Sequence, residues 1–277
     1  PVDALMPDRL SPRLLPNWVD VRVASQLSER FGVRVFVDND ANCGTLAEAL
    51  LGAARDVSDF TYIKVATGCG AGFMVQGELY RGYSGIAGEI GHSSVDPNGR
   101  RCRCGLQGCL EAEIGSRELV AKAEEAMAEG RASVLEGQDE LRLKDIVAAA
   151  KVGDELALEL IGDAGRHLGL AVANLLNFLN PARVIIGGLL STVGGPLLVP
   201  LRRTVRERAL STSVEHAEIV TSTLAPEYIA AGAATMVLRA ALDDLSLFQA
   251  PNKPRTESAV AAPPSAVNKR LRRKSGT

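Results

Sequence analysis

Hydrophobic and polar residues alternate along this chain with two different periods. Between residues 154 and 179 apolar side chains recur every three or four positions, which predicts one long helix ended by Asn180-Pro181. The same spacing predicts a helix that begins at Ser116 and helices over 21–31, 39–54, 141–153, 195–210 and 227–242. Short β-branched runs predict strands over 34–38, 59–66, 182–188 and 217–224, and a hairpin over 71–82 that turns at Gln76-Gly77.

The order of these elements predicts the class of fold. Strands and helices alternate in the second half of the chain, which is typical of a mixed α/β architecture with a largely parallel sheet. Such sheets bind ligands at glycine-rich turns beyond their strand ends. Turns of this kind follow the strand predicted over 59–66 and the strand predicted over 182–188.

Composition and charge exclude several classes of protein. The 277 residues are 46% hydrophobic and 23% charged, which excludes a wholly disordered, collagen-like or disulfide-stapled chain. The net charge of −2 includes +6 from residues 249–277, so −8 remains for the rest of the chain. An acidic body gives no electrostatic support for direct binding of nucleic acid.

The ends of the chain and its longest apolar stretch bear on its location. Residues 249–277 are rich in Pro, Ala and Ser with a basic end, and we expect them to be disordered. The apolar stretch 168–179 is broken by Asn174 and Asn177 and is too short to span a membrane, and no secretory signal precedes it. We therefore expect a cytoplasmic protein without a membrane partner. The first residue is Pro1, so we expect a fragment of a longer protein.

The strongest local chemical signal is a group of metal-ligand residues. His92, Cys102, Cys104 and Cys109 offer one imidazole and three thiolates, a set that suits tetrahedral Zn²⁺ in a closed, structural site. The alternative is three reduced surface thiols beside an unrelated histidine. The other two cysteines, Cys43 and Cys69, are expected to be small packing residues.

Carboxylates and glycines supply the remaining candidates. In VDNDAN (37–42), Asp40 is either a helix cap or a general base that takes a proton from a substrate hydroxyl. Glu89, His92 and Glu111 are either solvated loop residues or, tied together by the zinc loop, ligands of vicinal sugar hydroxyls. The glycine turn in ATGCGAG (66–72) can cradle phosphate or can be tight packing.

Taken together, these segments resemble the ROK family of repressors and sugar kinases. The matching segments are VDNDAN, ATGCGAG, RGYSGIAGEIGH (81–92), CRCGLQGCLE (102–111) and VIIGG (184–188), and the resemblance runs from about residue 15 to about residue 242. It implies an α/β fold of the actin/hexokinase-like ATPase (RNase H-like) type. The family contains sugar-responsive transcriptional regulators and ATP-dependent sugar kinases.

The resemblance also implies roles for individual residues. Asp40 corresponds to the catalytic base of the kinases. The sugar-binding positions are Asn39, Asp40, Glu89, His92 and Glu111. The structural zinc ligands are His92, Cys102, Cys104 and Cys109. The nucleotide-binding positions are Gly68, Gly70, Gly72, Gly187 and Gly188. A sugar or sugar phosphate is the implied ligand, a homodimer or homotetramer the implied assembly, and ATP with Mg²⁺ the implied cofactors of a kinase.

One departure from the family pattern affects the expected function. No D-x-G-x-T phosphate loop occurs in the chain, so its N-terminal lobe is expected to be incomplete. We expect residues 1–58 to be the remnant of that lobe, 59–226 the C-terminal lobe, 227–248 a closing helix and 249–277 a basic tail. The residues of the zinc loop resemble those of the regulators more than those of glucokinase-like enzymes, which favours a regulator. We expect a regulator of this kind to contact DNA only through a region absent from the chain.

Overall fold

A five-stranded mixed sheet lies at the centre of the computed structural model, which describes residues 2–3, 6–10, 18, 21–225 and 227–248. Its strands are β3 (Phe60–Val65), β4 (Cys69–Val75), β5 (Glu78–Tyr80), β6 (Arg183–Gly187) and β7 (Glu218–Thr221). Their order across the sheet is β5-β4-β3-β6-β7. A separate antiparallel pair joins β1 (Val2–Asp3) to β2 (Met6–Leu10).

The sheet is only half parallel, so the expectation of a largely parallel sheet is wrong. The pairs β3–β6 and β6–β7 are parallel, whereas β3–β4 and β4–β5 are antiparallel. The reason is the length of the connections. Residues 66–68 and Gln76-Gly77 are too short for a crossover, so consecutive strands there turn back on themselves.

Nine α-helices are found in the described part of the chain. They are α1 (Val23–Phe31), α2 (Asp40–Leu51), α3 (Leu110–Ile114), α4 (Ser116–Ala128), α5 (Leu143–Lys151), α6 (Glu155–Leu179), α7 (Gly195–Arg208), α8 (Ser211–His216) and α9 (Tyr228–Asp243). The long predicted helix is α6, which Asp154 caps by accepting a hydrogen bond from Ala157 N. The sequence did not predict α3 and α8, because helices of five and six residues are too short to show a period.

The two faces of the sheet are covered unequally. Side chains alternate along a strand, so Ile63, Val65 and Ile186 lie on one face and join a large apolar cluster with helices α3 to α7. We call this the α6 face. Phe60 and Tyr62 lie on the other face, which we call the α2 face. A small cluster there contains Leu46, Ala54, Phe60, Tyr62, Met74 and Ile185. Helix α9 packs along α2 on this side.

The strand predicted over 34–38 is absent. Residues 34–39 have no regular secondary structure, and no strand in the described part of the chain pairs with them. The β-branched composition of this segment favours extended backbone, but a strand also needs a partner for its hydrogen bonds. Residues 34–38 instead line a cavity of about 510 Å³ together with Arg81 and Arg239.

Two expectations concern the ends of the chain and the membrane. The basic tail over 249–277 lies outside the described residues, as does most of the segment 1–20. Within the described ranges, no helix combines the length and the apolar character that crossing a bilayer would require.

Candidate functional site

Three segments of the chain meet around the turn that joins β3 to β4. The N-terminus of α2 approaches this turn from the α2 face, since the Cα of Gly70 faces Ala41. Residues 88–92 and the first turn of α3 approach it from the other side, where Gly91 lies against Cys69 O and Glu111 binds Cys69 N. The turn lies at the carboxyl end of β3, where open α/β sheets bind their ligands.

The four predicted metal ligands are gathered in one cluster. Their ligand atoms all lie within 4.8 Å of one another. Cys102 Sγ is 3.6 Å from His92 Nδ1, and Cys104 Sγ is 3.7 Å from Cys109 Sγ. Cys102 and Cys109 are buried and the other two are partly buried.

This cluster fits the geometry of a tetrahedral ion. Zinc–sulfur bonds near 2.3 Å at tetrahedral angles place neighbouring sulfurs about 3.8 Å apart. The separation of 3.7 Å between Cys104 Sγ and Cys109 Sγ matches that edge. Four protein ligands leave no coordination position open, so the cluster is suited to a structural rather than a catalytic metal.

Backbone hydrogen bonds fold the loop around this cluster. Cys102 N donates to Leu106 O at 2.8 Å, and Leu110 N donates to Ser93 O at 2.9 Å. The second bond joins the histidine segment to the start of α3. Gly108 closes the loop at a φ of +68°, where a side chain would collide with Asp96 O. We call residues 92–111 the clasp.

A buried carboxylate, that of Glu113, binds the clasp on its α4 side. Glu113 on α3 is only 5% exposed and accepts hydrogen bonds from Arg100 N at 3.0 Å and from Lys122 Nζ at 2.9 Å. Burial alone would raise the pKa of Glu113, but these hydrogen bonds outweigh it and leave the pKa below its ordinary value. The clasp is therefore fixed to α4 as well as to α3.

Glu89 and His92 lie on one side of a short 3-10 helix, Ile90–His92. Glu89 Oε2 is 3.9 Å from His92 Nε2, while His92 Nδ1 faces the thiols. Each ring nitrogen of His92 therefore has a different surrounding. Gly88 permits this arrangement, because at its φ of +98° any side chain would collide with Ala71 O.

Glu111 joins the clasp to the β3–β4 turn. It is 9% exposed, and its Oε2 accepts a hydrogen bond of 3.0 Å from Cys69 N. Its Oε1 lies 3.5 Å from Nη2 of Arg103, which stands between two of the cysteines. The clasp thus places the guanidinium of Arg103 beside Glu111, a carboxylate that the resemblance assigns to sugar binding.

At the N-terminus of α2, Asn39 is the capping residue and accepts a hydrogen bond of 2.8 Å from Ala41 N. Asp38 is 8% exposed in its side chain and accepts hydrogen bonds from Nε and Nη2 of Arg81 at 2.9 and 2.7 Å. It also accepts one from Asn42 Nδ2 at 2.7 Å. Asp38 is therefore fully engaged, and it is followed by the partly buried Asn39 and the exposed Asp40.

Asp40 has a partner that the sequence did not predict. Its Oδ2 forms an ion pair with Lys64 Nζ from β3. The Asp40 side chain is 54% exposed and that of Lys64 is 20% exposed. A lysine inside the mostly apolar run FTYIKV was the available signal, but only the folded structure shows which carboxylate it reaches. Arg81 and Arg103 were missed for the same reason.

The predicted glycines lie in two places. Gly68 is in the β3–β4 turn, whereas Gly70 and Gly72 lie within β4. Two amides of this segment are occupied, since Cys69 N donates to Glu111 and Ala71 N donates to Gly88 O. Gly187 is the last residue of β6, and Gly188 follows it. Gly188 lines a cavity of about 640 Å³ together with Tyr62, Lys64, Glu48 and Ser222.

The two remaining cysteines are buried away from the cluster of ligand atoms. Burial, reinforced by the Asp38 and Asp40 carboxylates, raises the pKa of the Cys43 thiol to about 11. Burial likewise raises the pKa of Cys69 above its usual range. Thiols in such surroundings are poor nucleophiles, so both cysteines are suited to packing.

The chain is similar to known proteins in both sequence and fold. The model of the ROK family matches residues 11–240. A putative xylose repressor from Caldicellulosiruptor sp. (strain Rt8B.4) is 36% identical over 230 residues, which are 81% of this chain and 58% of the repressor. The chain therefore spans a little over half the length of this curated relative.

Solved structures of both functional kinds are similar to this chain. A ROK family transcriptional regulator, a homolog of the E. coli MLC protein, superposes with a TM-score of 0.73 and is 33% identical. The matched region covers 78% of this chain and 55% of the regulator chain. A ROK family glucokinase from Streptomyces griseus, solved with glucose and AMPPNP, has a TM-score of 0.74 and 32% identity. The matched region covers 85% of this chain and 78% of the glucokinase chain.

Proposed function

We propose that this chain, which belongs to the ROK family, is the sugar-sensing part of a sugar-responsive transcriptional regulator. One observation carries the proposal. The three separate segments that carry Asn39-Asp40, Glu89-His92 and Glu111 all contact the start of β4, through Ala41, Gly88 and the hydrogen bond from Cys69 N to Glu111. Carboxylates and an amide arranged in this way match the donors and acceptors of adjacent sugar hydroxyls. The similarity to a xylose repressor and to a transcriptional regulator supports a sensor.

In this proposal a structural Zn²⁺ is held by His92, Cys102, Cys104 and Cys109. Its chemistry is to fix the ligands that surround it, since no coordination position remains for a substrate. Binding through His92 Nδ1 leaves Nε2 beside Glu89 and free to meet a hydroxyl. The clasp would then hold Glu89, His92 and Glu111 in one fixed arrangement.

A sugar that binds both sides of the turn would change the relative position of α2 and the clasp. In a regulator, such a change alters affinity for DNA, and we assign the DNA contact to a region outside this chain. We also propose that the protein is cytoplasmic and forms a homodimer or homotetramer. Light scattering measures this oligomeric state.

Isothermal titration of the chain with D-xylose, D-glucose and glucose 6-phosphate tests sugar binding. We expect one of these ligands to bind, and we expect Asp40→Ala to weaken binding about 10- to 100-fold, the usual effect of removing hydrogen bonds to a charged group. Asp139→Ala, an exposed aspartate elsewhere, is the matched control and should bind normally. Failure of the chain to bind any of the three would contradict the proposal.

The second candidate is an ATP-dependent sugar kinase. It is favoured by the coverage of the glucokinase structure, which exceeds that of the regulator for both chains. In this alternative, Asp40 takes the proton from the sugar hydroxyl that receives the phosphoryl group. The cavity beside Gly187-Gly188 has the volume of a small-ligand site and would hold the adenosine.

The described residues do not complete a site for Mg²⁺–ATP. The carboxylate that lines the cavity belongs to Glu48, and it is already bonded to Ala53 N and Ser222 Oγ. Asp40 is paired with Lys64. We therefore derive no step through the nucleotide. The coding sequence immediately upstream of the Pro1 codon decides between the two candidates: a helix-turn-helix supports the regulator and a D-x-G-x-T loop supports the kinase.

A further inference from the structure

Lys64 occupies an unusual position in the sheet. It lies opposite Gly70 of β4 and opposite Gly187 of β6 in the strand register. Residues directly opposite one another in a sheet project to the same face. Lys64 is therefore the one side chain in a row of three positions, and it extends over the α2 face between two glycines.

The ion pair between Lys64 and Asp40 is open to a ligand, unlike the other pair at the start of α2. The Asp38 side chain is 8% exposed, and both hydrogen bonds from Arg81 end on its Oδ2, so this pair is closed. Asp40 is 54% exposed and uses Oδ2 for Lys64, which leaves Oδ1 as an acceptor. An ammonium has three donors, and Lys64 also lines the 640 Å³ cavity.

We propose that Lys64 is a specificity-determining residue of the sugar site, and this inference rests on the proposed function. With Asp40 it presents a donor beside an acceptor, so the two side chains together bind two adjacent hydroxyls of a sugar. Lys64 donates to one hydroxyl oxygen while Asp40 accepts from the other hydroxyl. A carboxylate without a cation would select only for donors, whereas this pair selects for a vicinal diol in one orientation.

A purely structural role for Lys64 makes a different prediction. An ion pair between partly exposed groups contributes little to stability, so a tether between α2 and β3 would alter the melting temperature only slightly. Such a tether would leave the preference among sugars unchanged. Sugar selectivity therefore separates the two roles.

The test compares the chain with Lys64→Met, Lys64→Arg and the exposed-lysine control Lys144→Met, using the sugar that the unaltered chain binds and its monodeoxy analogues. We expect Lys64→Met to weaken binding of the parent sugar about 10-fold, as for loss of a hydrogen bond from a charged group. Lys64→Arg, which keeps the cation, should restore most of the affinity, and Lys144→Met should bind normally. One deoxy analogue, which lacks the hydroxyl bound by Lys64, should bind the unaltered chain and Lys64→Met equally.

Two results would overturn the inference alone. The first is parent-sugar binding by Lys64→Met that equals or exceeds that of the unaltered chain. The second is a difference between the two proteins that persists for every deoxy analogue. If the unaltered chain binds none of D-xylose, D-glucose and glucose 6-phosphate, the proposed function itself is overturned and the inference falls with it. The two failures are thus distinguishable.

Discussion

The two faces of the sheet hold their share of the candidate site in different ways. On the α6 face, Glu89, His92 and Glu111 belong to or adjoin the clasp, which packs on a large apolar cluster and is bonded to Lys122 through Glu113. On the α2 face, Asp40 stands at a helix end above a cluster of six buried residues and is held by one open ion pair.

This difference indicates that the two sides of the site differ in how easily they move. A region with many buried contacts costs more free energy to displace than a region with few. We therefore expect the clasp side to act as the fixed half of the site and the N-terminus of α2 to act as the half that adjusts to a ligand. Four predictions test this contrast, in order of decreasing effect.

The largest effect is expected from breaking the clasp. Cys109 is fully buried, and replacing it by Ser removes one of four ligands, which should lower zinc affinity by more than about 100-fold and lower the melting temperature. Sugar affinity should fall with the loss of zinc, because Glu89, His92 and Glu111 lose their common support. Elemental analysis and titration calorimetry measure the two effects.

The matched control is Cys43→Ala, which removes a buried thiol outside the cluster. This variant should keep its zinc and its arrangement of the clasp. Full zinc occupancy in Cys109→Ser would contradict the ligand set, and zinc loss without loss of sugar binding would remove the clasp from the site.

The next effect comes from one core leucine on each face. Leu168 on α6 is fully buried and Leu46 on α2 is 2% exposed. Truncating a buried leucine to alanine costs roughly 2–5 kcal/mol, and we expect Leu168 near the top and Leu46 near the bottom of that range, because a small cluster closes a cavity more easily. Urea denaturation gives these free energies of unfolding.

Sugar affinity should respond in the opposite order. Leu46→Ala shifts the helix that carries Asp40, so it should weaken binding more than Leu168→Ala does. Equal losses of affinity in the two variants would show that the faces do not differ in the way that we infer.

The sequence predicted the cluster of metal ligands in the clasp but not the ion pair between Lys64 and Asp40, and the reason is distance along the chain. The four ligand residues fall within positions 92–109, so their spacing and types alone indicate a shared site. Lys64 and Asp40 are 24 positions apart and meet only through the sheet register and the packing of α2. Local patterns carry no information about such pairings.

The elements show the same limit. The helical spacing of apolar residues sustained along α6, and the mostly apolar run of β3, predict those elements from local information alone. The run over 34–38 has equally strong β propensity, yet strand formation depends on a neighbour that propensity does not supply. Strand direction likewise followed from the lengths of the connections and not from the composition of the strands.

A smaller effect is expected from the support behind the clasp. The pKa of Glu113 is depressed below its ordinary value near 4.5, so its ionised form stabilises the fold above that pH. This stabilisation is lost as the pH falls through the depressed pKa. Lys122→Met should therefore lower the free energy of unfolding by about 1–2 kcal/mol at pH 7 and by progressively less as the pH falls through the depressed pKa. A loss that is independent of pH would contradict this assignment.

The smallest expected effect uses matched helix caps on the two faces. Asn39 caps α2 and Asp154 caps α6, and each accepts a hydrogen bond from a backbone N–H of its own helix, at 2.8 and 2.9 Å. Replacing either by Ala should cost about 1 kcal/mol of unfolding free energy, the usual effect of losing a cap. Only Asn39→Ala should also weaken sugar binding, because Asn39 is itself one of the proposed sugar-binding residues and precedes Asp40 at the first position of α2. Asn39→Ser, which keeps a capping oxygen, should restore stability in thermal unfolding. If Asp154→Ala weakens sugar binding as much as Asn39→Ala does, the adjustable half of the site is not confined to α2.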